Sequence, residues 1–286
     1  MPFPISDILG KDMPFIKVVD VGAMYLGGDN FDKLVQQGHA QVIGFEPQKE
    51  ECEKLNARAL TEAPSADKVK RNYLPYYIGD GSRRNFYLTN VGYTSSLYRP
   101  DEEILRHFEH LSDVCQVVQT EEVQTTRLDD IAELGEVDFL KVDVQGAGLD
   151  VIRGAGKTLK NVTVIQTEVE YIPIYKNQAL FSDIDLALRE NGFWLHGMTA
   201  NSGACLKPFS ARTYRPYTQV LWCDYVYIKN FMQLEQLSSR QRLVMAVILH
   251  EIFLSYDLTA FILGVHDQIM ETRLKDFYLA KMFAAL

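Results

Sequence analysis

The sequence predicts an α/β fold in which a buried, mostly parallel sheet carries helices on both faces. Short, nearly continuous apolar runs recur along the chain, each bounded by glycine or aspartate. Amphipathic helical patterns stand between many of them, and the first run passes through a glycine turn directly into helical periodicity. Strands that read as continuous apolar runs are covered on both faces, and strand followed by helix, repeated, is the pattern of parallel crossovers.

Taken in order, IKVVDVG from Ile16 is the first strand, and FDKLVQQG then places Phe31, Leu34 and Val35 on one helical face before Gly38. QVIGFEP from Gln41 and LPYYIGD from Leu74 are the second and third strands. RRNFYLTN from Arg83 and VVQTEEVQTTRL from Val117 alternate as antiparallel or edge strands do, with helical DEEILRHFEHL from Asp101 between them, so an insertion beside the main sheet is expected. VDFLKVDVQG from Val137 and VTVIQTEVE from Val162 continue the sheet. DIDLALRENG gathers Ile184, Leu186 and Leu188 before Gly192, and VLWCDYVYI from Val220 is a further strand. After Lys229 the pattern is wholly helical, with Ser238 and Ser239 suited to a cap. The expected division is a domain over 1–230 and a C-terminal helical appendage over 231–286, docked on the sheet domain or on a second copy as a homodimer.

With 286 residues, 47% hydrophobic and 23% charged, the chain can bury a sizeable core. A formal net charge of −9, with KVKR from Lys68 as the one short basic run, disfavours nucleic acid as a partner. Cys52, Cys115, Cys205 and Cys223 stand far apart without a C-x-x-C pair, which fits a reducing compartment and not a zinc ribbon. MPFPISDILGKD lacks the basic start and apolar core of a secretory signal, so a cytoplasmic protein is expected. LVMAVIL from Leu243 meets His250 and Glu251 too soon to span a bilayer. His107 and His110 share a helix face without further ligands in view, so no metal site is expected.

In a doubly wound sheet, ligands bind beyond the carboxyl ends of the strands, where strand order reverses. DVGAMYLGG sits at the first such turn. A dinucleotide site favours G-x-G-x-x-G, but Gly22 is followed two residues on by Met24, which counts against NAD or FAD. Glu46 stands about 24 residues after Gly22, at the end of the second strand, and Pro47 opens the next helix. A carboxylate there can accept hydrogen bonds from both hydroxyls of a ribose. The pair suggests a nucleoside ligand without a pyrophosphate, a description that S-adenosylmethionine fits. Asp80, before Gly81 in IGDGS, is a candidate acceptor for an adenine amino group.

VVDVGAMYLGG, GFEP, TSSLY, TTRLDDI, VDFLKVDVQGAGLDVIRGA, the block from Val164 to Leu195 and DYVYIK occur in one order, and together they resemble the FkbM family of S-adenosylmethionine-dependent methyltransferases. The resemblance spans about Phe15 to Lys229. It implies a seven-stranded, Rossmann-like class I methyltransferase fold and methyl transfer from S-adenosylmethionine to a hydroxyl of a sugar, a glycan or a related small molecule. By position it assigns the cofactor loop to Asp20, Gly22, Ala23 and Met24, the ribose acid to Glu46 with Pro47 beside it, and the adenine-side acid to Asp80 with Gly81. The family block of lysine, isoleucine, aspartate, valine, glutamate, glycine, alanine and glutamate appears as KVDVQGAG, so Asp143 is kept while Gln145 and Gly148 replace acids.

Methyl transfer to a hydroxyl needs alignment, exclusion of water and one base. Asp143, at the end of the fourth main strand, is the first candidate for contact with cofactor or acceptor. Glu168 and Glu170 share one face of the fifth by the period of two, so either can reach an acceptor. His196 is a further base candidate by its titration range. Ser95, Ser96, Tyr171 and Tyr175 fall on loops suited to covering a site. Two competing expectations are a scaffold or cofactor-binding protein without catalysis and, on the generic sheet pattern alone, an NAD-dependent oxidoreductase.

Overall fold

The computed structural model describes residues 2–24, 27–63, 70–209 and 218–284. Its strands are β1 (Ile16–Val21), β2 (Ala40–Phe45), β3 (Arg71–Leu74), β4 (Arg83–Thr89), β5 (Val117–Gln124), β6 (Phe139–Val142), β7 (Val164–Glu170), β8 (Phe193–Ala204) and β9 (Gln219–Lys229). Seven of them form one sheet in the order β3-β2-β1-β6-β7-β9-β8. From β3 to β7 all pairs are parallel, and β9 runs antiparallel to both β7 and β8. This is a seven-stranded, mostly parallel sheet, as the resemblance implies. The order reverses between β1 and β6, so their carboxyl ends lie side by side at the crevice where α/β sheets take ligands.

Side chains alternate across the strands and give the sheet two cores. On one face Val18, Val42, Phe139, Val164 and Ile228 join Ile5 and the C-terminal helices. On the other, Val19, Val21, Leu140, Val142, Ile165 and Tyr227 pack with Val151 and Ile152 of a helix over Gly148–Arg153 and with Ile184 and Leu188 of one over Phe181–Glu190. Residues 231–284 are thus one layer of the first core: Val244, Val247, Ile262, Leu263 and Tyr278 are buried in it. The helix Ser239–Glu251 opens with a capping box in which Ser238 Oγ accepts from the Gln241 N–H. Arg240 then makes a forked ion pair to Asp138, at 2.6 and 2.8 Å, which ties this helix to the start of β6. Among the described residues no helix is long and apolar enough to cross a membrane.

β4 and β5 pair antiparallel outside the main sheet, as the alternation predicts. The helical pattern between them is broken into Glu102–Leu105 and Leu111–Val114, with His110 in the left-handed region at φ +64°. Two boundaries differ from the sequence reading. The third strand ends at Leu74, before Pro75, whose missing N–H cannot extend a ladder, so Asp80 is not at its tip. β8 is an edge strand that no apolar run marks beyond Leu195: half of its twelve residues are exposed, and Thr199, Asn201, Ser202 and Gly203 crowd its second half.

Candidate active site

The tips of β1, β2 and β6 are locked together through backbone. Gly22, just past β1, has φ +85°, and a Cβ there would stand 1.8 Å from the Asp143 carbonyl oxygen. The Asp143 N–H donates to Val21 O at 2.9 Å, while the Gly22 and Ala23 N–H groups donate to Phe45 O at 3.1 and 3.0 Å. Only glycine fits so close a crossing of two chains in this conformation.

Above these tips lies a cavity of about 430 Å³. Gly22, Met24, Glu46 and Pro47 line one end of it, and Asp143 and Glu168 line its floor. Glu46 is 3% exposed. Its Oε1 accepts the Gln48 N–H at 2.8 Å. Burial pushes its carboxyl up to about 7, although the Gln48 N–H pulls it the other way. A hydroxyl donor reaching this carboxylate favours its ionised form.

Glu168 rises well above the usual carboxylate range because it is buried and faces Asp143, Glu170 and Asp224. Gln145 moderates this repulsion: its Nε2 donates to Asp143 Oδ1 at 3.2 Å and to Glu168 Oε1 at 3.1 Å. The amide is itself held. Tyr175 Oη lies 3.1 Å from Gln145 Oε1 and 3.0 Å from Thr94 O, and Ser96 Oγ donates to Gln145 O at 2.5 Å. Glu170, 2% exposed and pushed up to about 8 chiefly by burial, lies outside the lining. Beneath the floor, burial opposes the charge of Lys141, but Asp20, Asp143 and Asp29 outweigh it and keep the ammonium protonated. Its Nζ sits 3.0 Å from Asp20 and 3.5 Å from Asp29.

The structure therefore brings together Gly22, Met24, Glu46, Pro47, Asp143 and Glu168, with Ser95, Ser96 and Tyr175 of the covering loops. Asp20 and Ala23 are buried beside the cavity without lining it. Asp80 and Gly81 lie in the turn into β4, also outside the lining. There Asp80 accepts the Ser82 N–H at 3.0 Å and pairs with Arg84 at 3.3 Å; burial would raise its carboxyl, but these partners hold it below the usual range. His196 is exposed on β8, 3.0 Å from Ser255 Oγ. Tyr171 packs on Phe181 and Tyr225 instead of the cavity. Sequence reasoning missed Tyr76, Tyr77, Phe86 and Trp222 as lining residues. For Trp222 the missing signal is strand direction, since only an antiparallel β9 brings its first half to the carboxyl end of β7.

The family profile described as Methyltransferase FkbM domain matches residues 20–195. Among solved structures, the chain is similar to methyltransferase FkbM from Methylobacillus flagellatus KT, with 15% identity and a TM-score of 0.38, over 74% of this chain and 43% of that one. It thus spans less than half the length of that protein. StiE O-MT is similar at 9% identity and a TM-score of 0.41, over 86% of this chain and 79% of that one. The precorrin-6y C5,15-methyltransferase of Geobacter metallireducens GS-15 is similar at 9% identity and a TM-score of 0.36, over 79% and 87%. None of the curated proteins matches the chain.

Proposed function

Because the chain belongs to the FkbM methyltransferase family, we propose that it transfers a methyl group from S-adenosylmethionine to a hydroxyl oxygen of a small molecule. The observation that carries this reading is Glu46, a buried carboxylate at the tip of β2, lining the cavity and raised to about 7 by burial. Such a group costs stability unless hydroxyl donors meet it, and a ribose diol supplies two. Gly22 keeps the neighbouring backbone free of side chain, and Met24 and Pro47 give apolar edges for a nucleoside. These residues fit the cofactor. When bound, it would supply a sulfonium methyl group whose carbon the acceptor oxygen attacks in line, the new O–C bond forming as the C–S bond breaks and leaves its electron pair on sulfur.

Within this reading Glu168 takes the proton of the acceptor hydroxyl. It lines the cavity, and its raised pKa makes its ionised form a stronger base than an ordinary carboxylate. Asp143 stands beside it in the lining, and Gln145 fixes the spacing of the two acids. The resemblance implies a sugar or glycan hydroxyl, one of several acceptors that this reading by itself allows. Cys52, Cys115, Cys205 and Cys223 are free and buried, in support of a reducing, cytoplasmic setting. A second reading, cofactor binding without turnover, draws on Gln145 and Gly148 standing where the family pattern has acids.

Calorimetric titration with S-adenosylmethionine and S-adenosylhomocysteine tests the proposal. Binding of both at one site is expected. Folded protein that binds neither would overturn it, and binding with no methyl transfer to any hydroxyl acceptor would favour the second reading.

A further inference from the structure

The cavity has a second end, remote from Glu46, whose walls differ from those of the strand tips. The short helices Glu102–Leu105 and Leu111–Val114 bring Leu105, Leu111 and Val114 to it. Ile174, from the loop after β7, and Trp222, paired across the sheet with Glu170, complete it. Leu105 and Ile174 are only 2% and 7% exposed, so these groups form a packed apolar chamber. Its walls are joined by backbone: the Asp101 N–H donates to Ile174 O at 2.9 Å and the Lys176 N–H to Arg99 O at 2.7 Å.

Three hydroxyl groups beside this chamber are already engaged. Ser96 Oγ is spent on Gln145 O, the Tyr175 hydroxyl on Gln145 and Thr94, and Ser95 Oγ accepts the Thr89 N–H at 3.1 Å. A polyol entering here would give up water at several hydroxyls and find few partners in return. An anion would be driven against Asp143 and Glu168 on the floor. An apolar ring or chain meets neither penalty and gains by leaving water. One hydroxyl on such a body can be met by Glu168.

We propose that the methyl acceptor is an uncharged alcohol or phenol on an apolar ring or chain, and neither a sugar nor an anion. This rests on the methyl-transfer reading. To test it, the protein is first saturated with S-adenosylhomocysteine and then titrated calorimetrically with naphthol, methyl glucoside and naphthyl phosphate. Naphthol is expected to bind roughly tenfold or more tighter than either of the others. Leu111→Lys is expected to weaken naphthol by roughly tenfold while leaving the affinity for S-adenosylhomocysteine unchanged. Failure of naphthol to bind the saturated protein, or binding of methyl glucoside or naphthyl phosphate as tight as that of naphthol, would overturn the proposal. Failure of S-adenosylhomocysteine to bind would instead remove the methyl-transfer reading on which it stands.

Discussion

The two ends of the cavity are built by different means. The end around Glu46 stands on the tips of adjacent parallel strands, where β1, β2 and β6 fix Gly22, Glu46 and Asp143 through hydrogen bonds of the sheet itself. The opposite end is assembled from an insertion, the loop after β7 and an antiparallel strand, joined by a few backbone contacts and apolar packing. A rigid end on strand tips and a peripheral end that loops can reshape is how α/β folds hold a common chemistry while varying its substrate. Changes at the first end should therefore disturb fold or chemistry, and changes at the second should disturb acceptor binding.

The largest effect is expected at the floor where the two ends meet. Glu168→Gln should lower kcat by roughly 10²–10⁴ while leaving S-adenosylhomocysteine affinity nearly unchanged, since it removes the base without removing volume. A variant with wild-type kcat would take the base role away from Glu168. Next is Gly22→Ala, which sets a methyl group against the Asp143 carbonyl at a positive φ. It should cost about 3 kcal/mol in urea unfolding, and a loss within error of zero would mean the strand tips yield easily.

Glu46→Gln should act in the opposite sense on stability. Because the folded carboxyl is raised above its unfolded value, the fold binds the proton more tightly, so ionising Glu46 carries a penalty. That penalty is absent below the unfolded pKa, grows with rising pH and is complete above about 7. The amide removes it, so the variant should gain about 1–3 kcal/mol near pH 8 and little near pH 4. A gain independent of pH would point to some other cause. The smallest effect is expected at the loop-built end: Ser96→Ala loses its bond to the Gln145 carbonyl, costing about 1 kcal/mol and raising acceptor KM a few-fold with cofactor affinity unchanged. A fall in cofactor affinity as large as the rise in KM would erase the distinction between the two ends.

That division also governs what could be read from the sequence. Gly22, Glu46 and Asp143 were legible because each ends an apolar run, and in a parallel sheet the ends of runs converge. Asp80 was misplaced in space because LPYYIGD reads as a strand to its end, whereas the ladder stops at Leu74 and Tyr76 and Tyr77 reach the cavity instead. His196 has the chemistry of a base, but it lies exposed on an edge strand beside Ser255 and outside the cavity lining. Leu105, Val114 and Trp222 converge through contacts far apart in the chain, which no local periodicity records. The C-terminal helices were legible as helices that dock on the sheet domain or on a second copy, and Val244 and Leu263 share one core with Phe139 and Val164 of the sheet.

The central claim, that Glu46 in its ionised form grips the cofactor, is tested most directly by the affinity for S-adenosylhomocysteine between pH 6 and pH 8. With the free carboxyl near 7, binding that requires ionisation should tighten by roughly tenfold across this range. The Glu46→Gln variant should bind more weakly and show no such rise. Wild-type affinity that stays flat with pH, or a variant that binds as tightly as wild type at pH 8, would contradict the account.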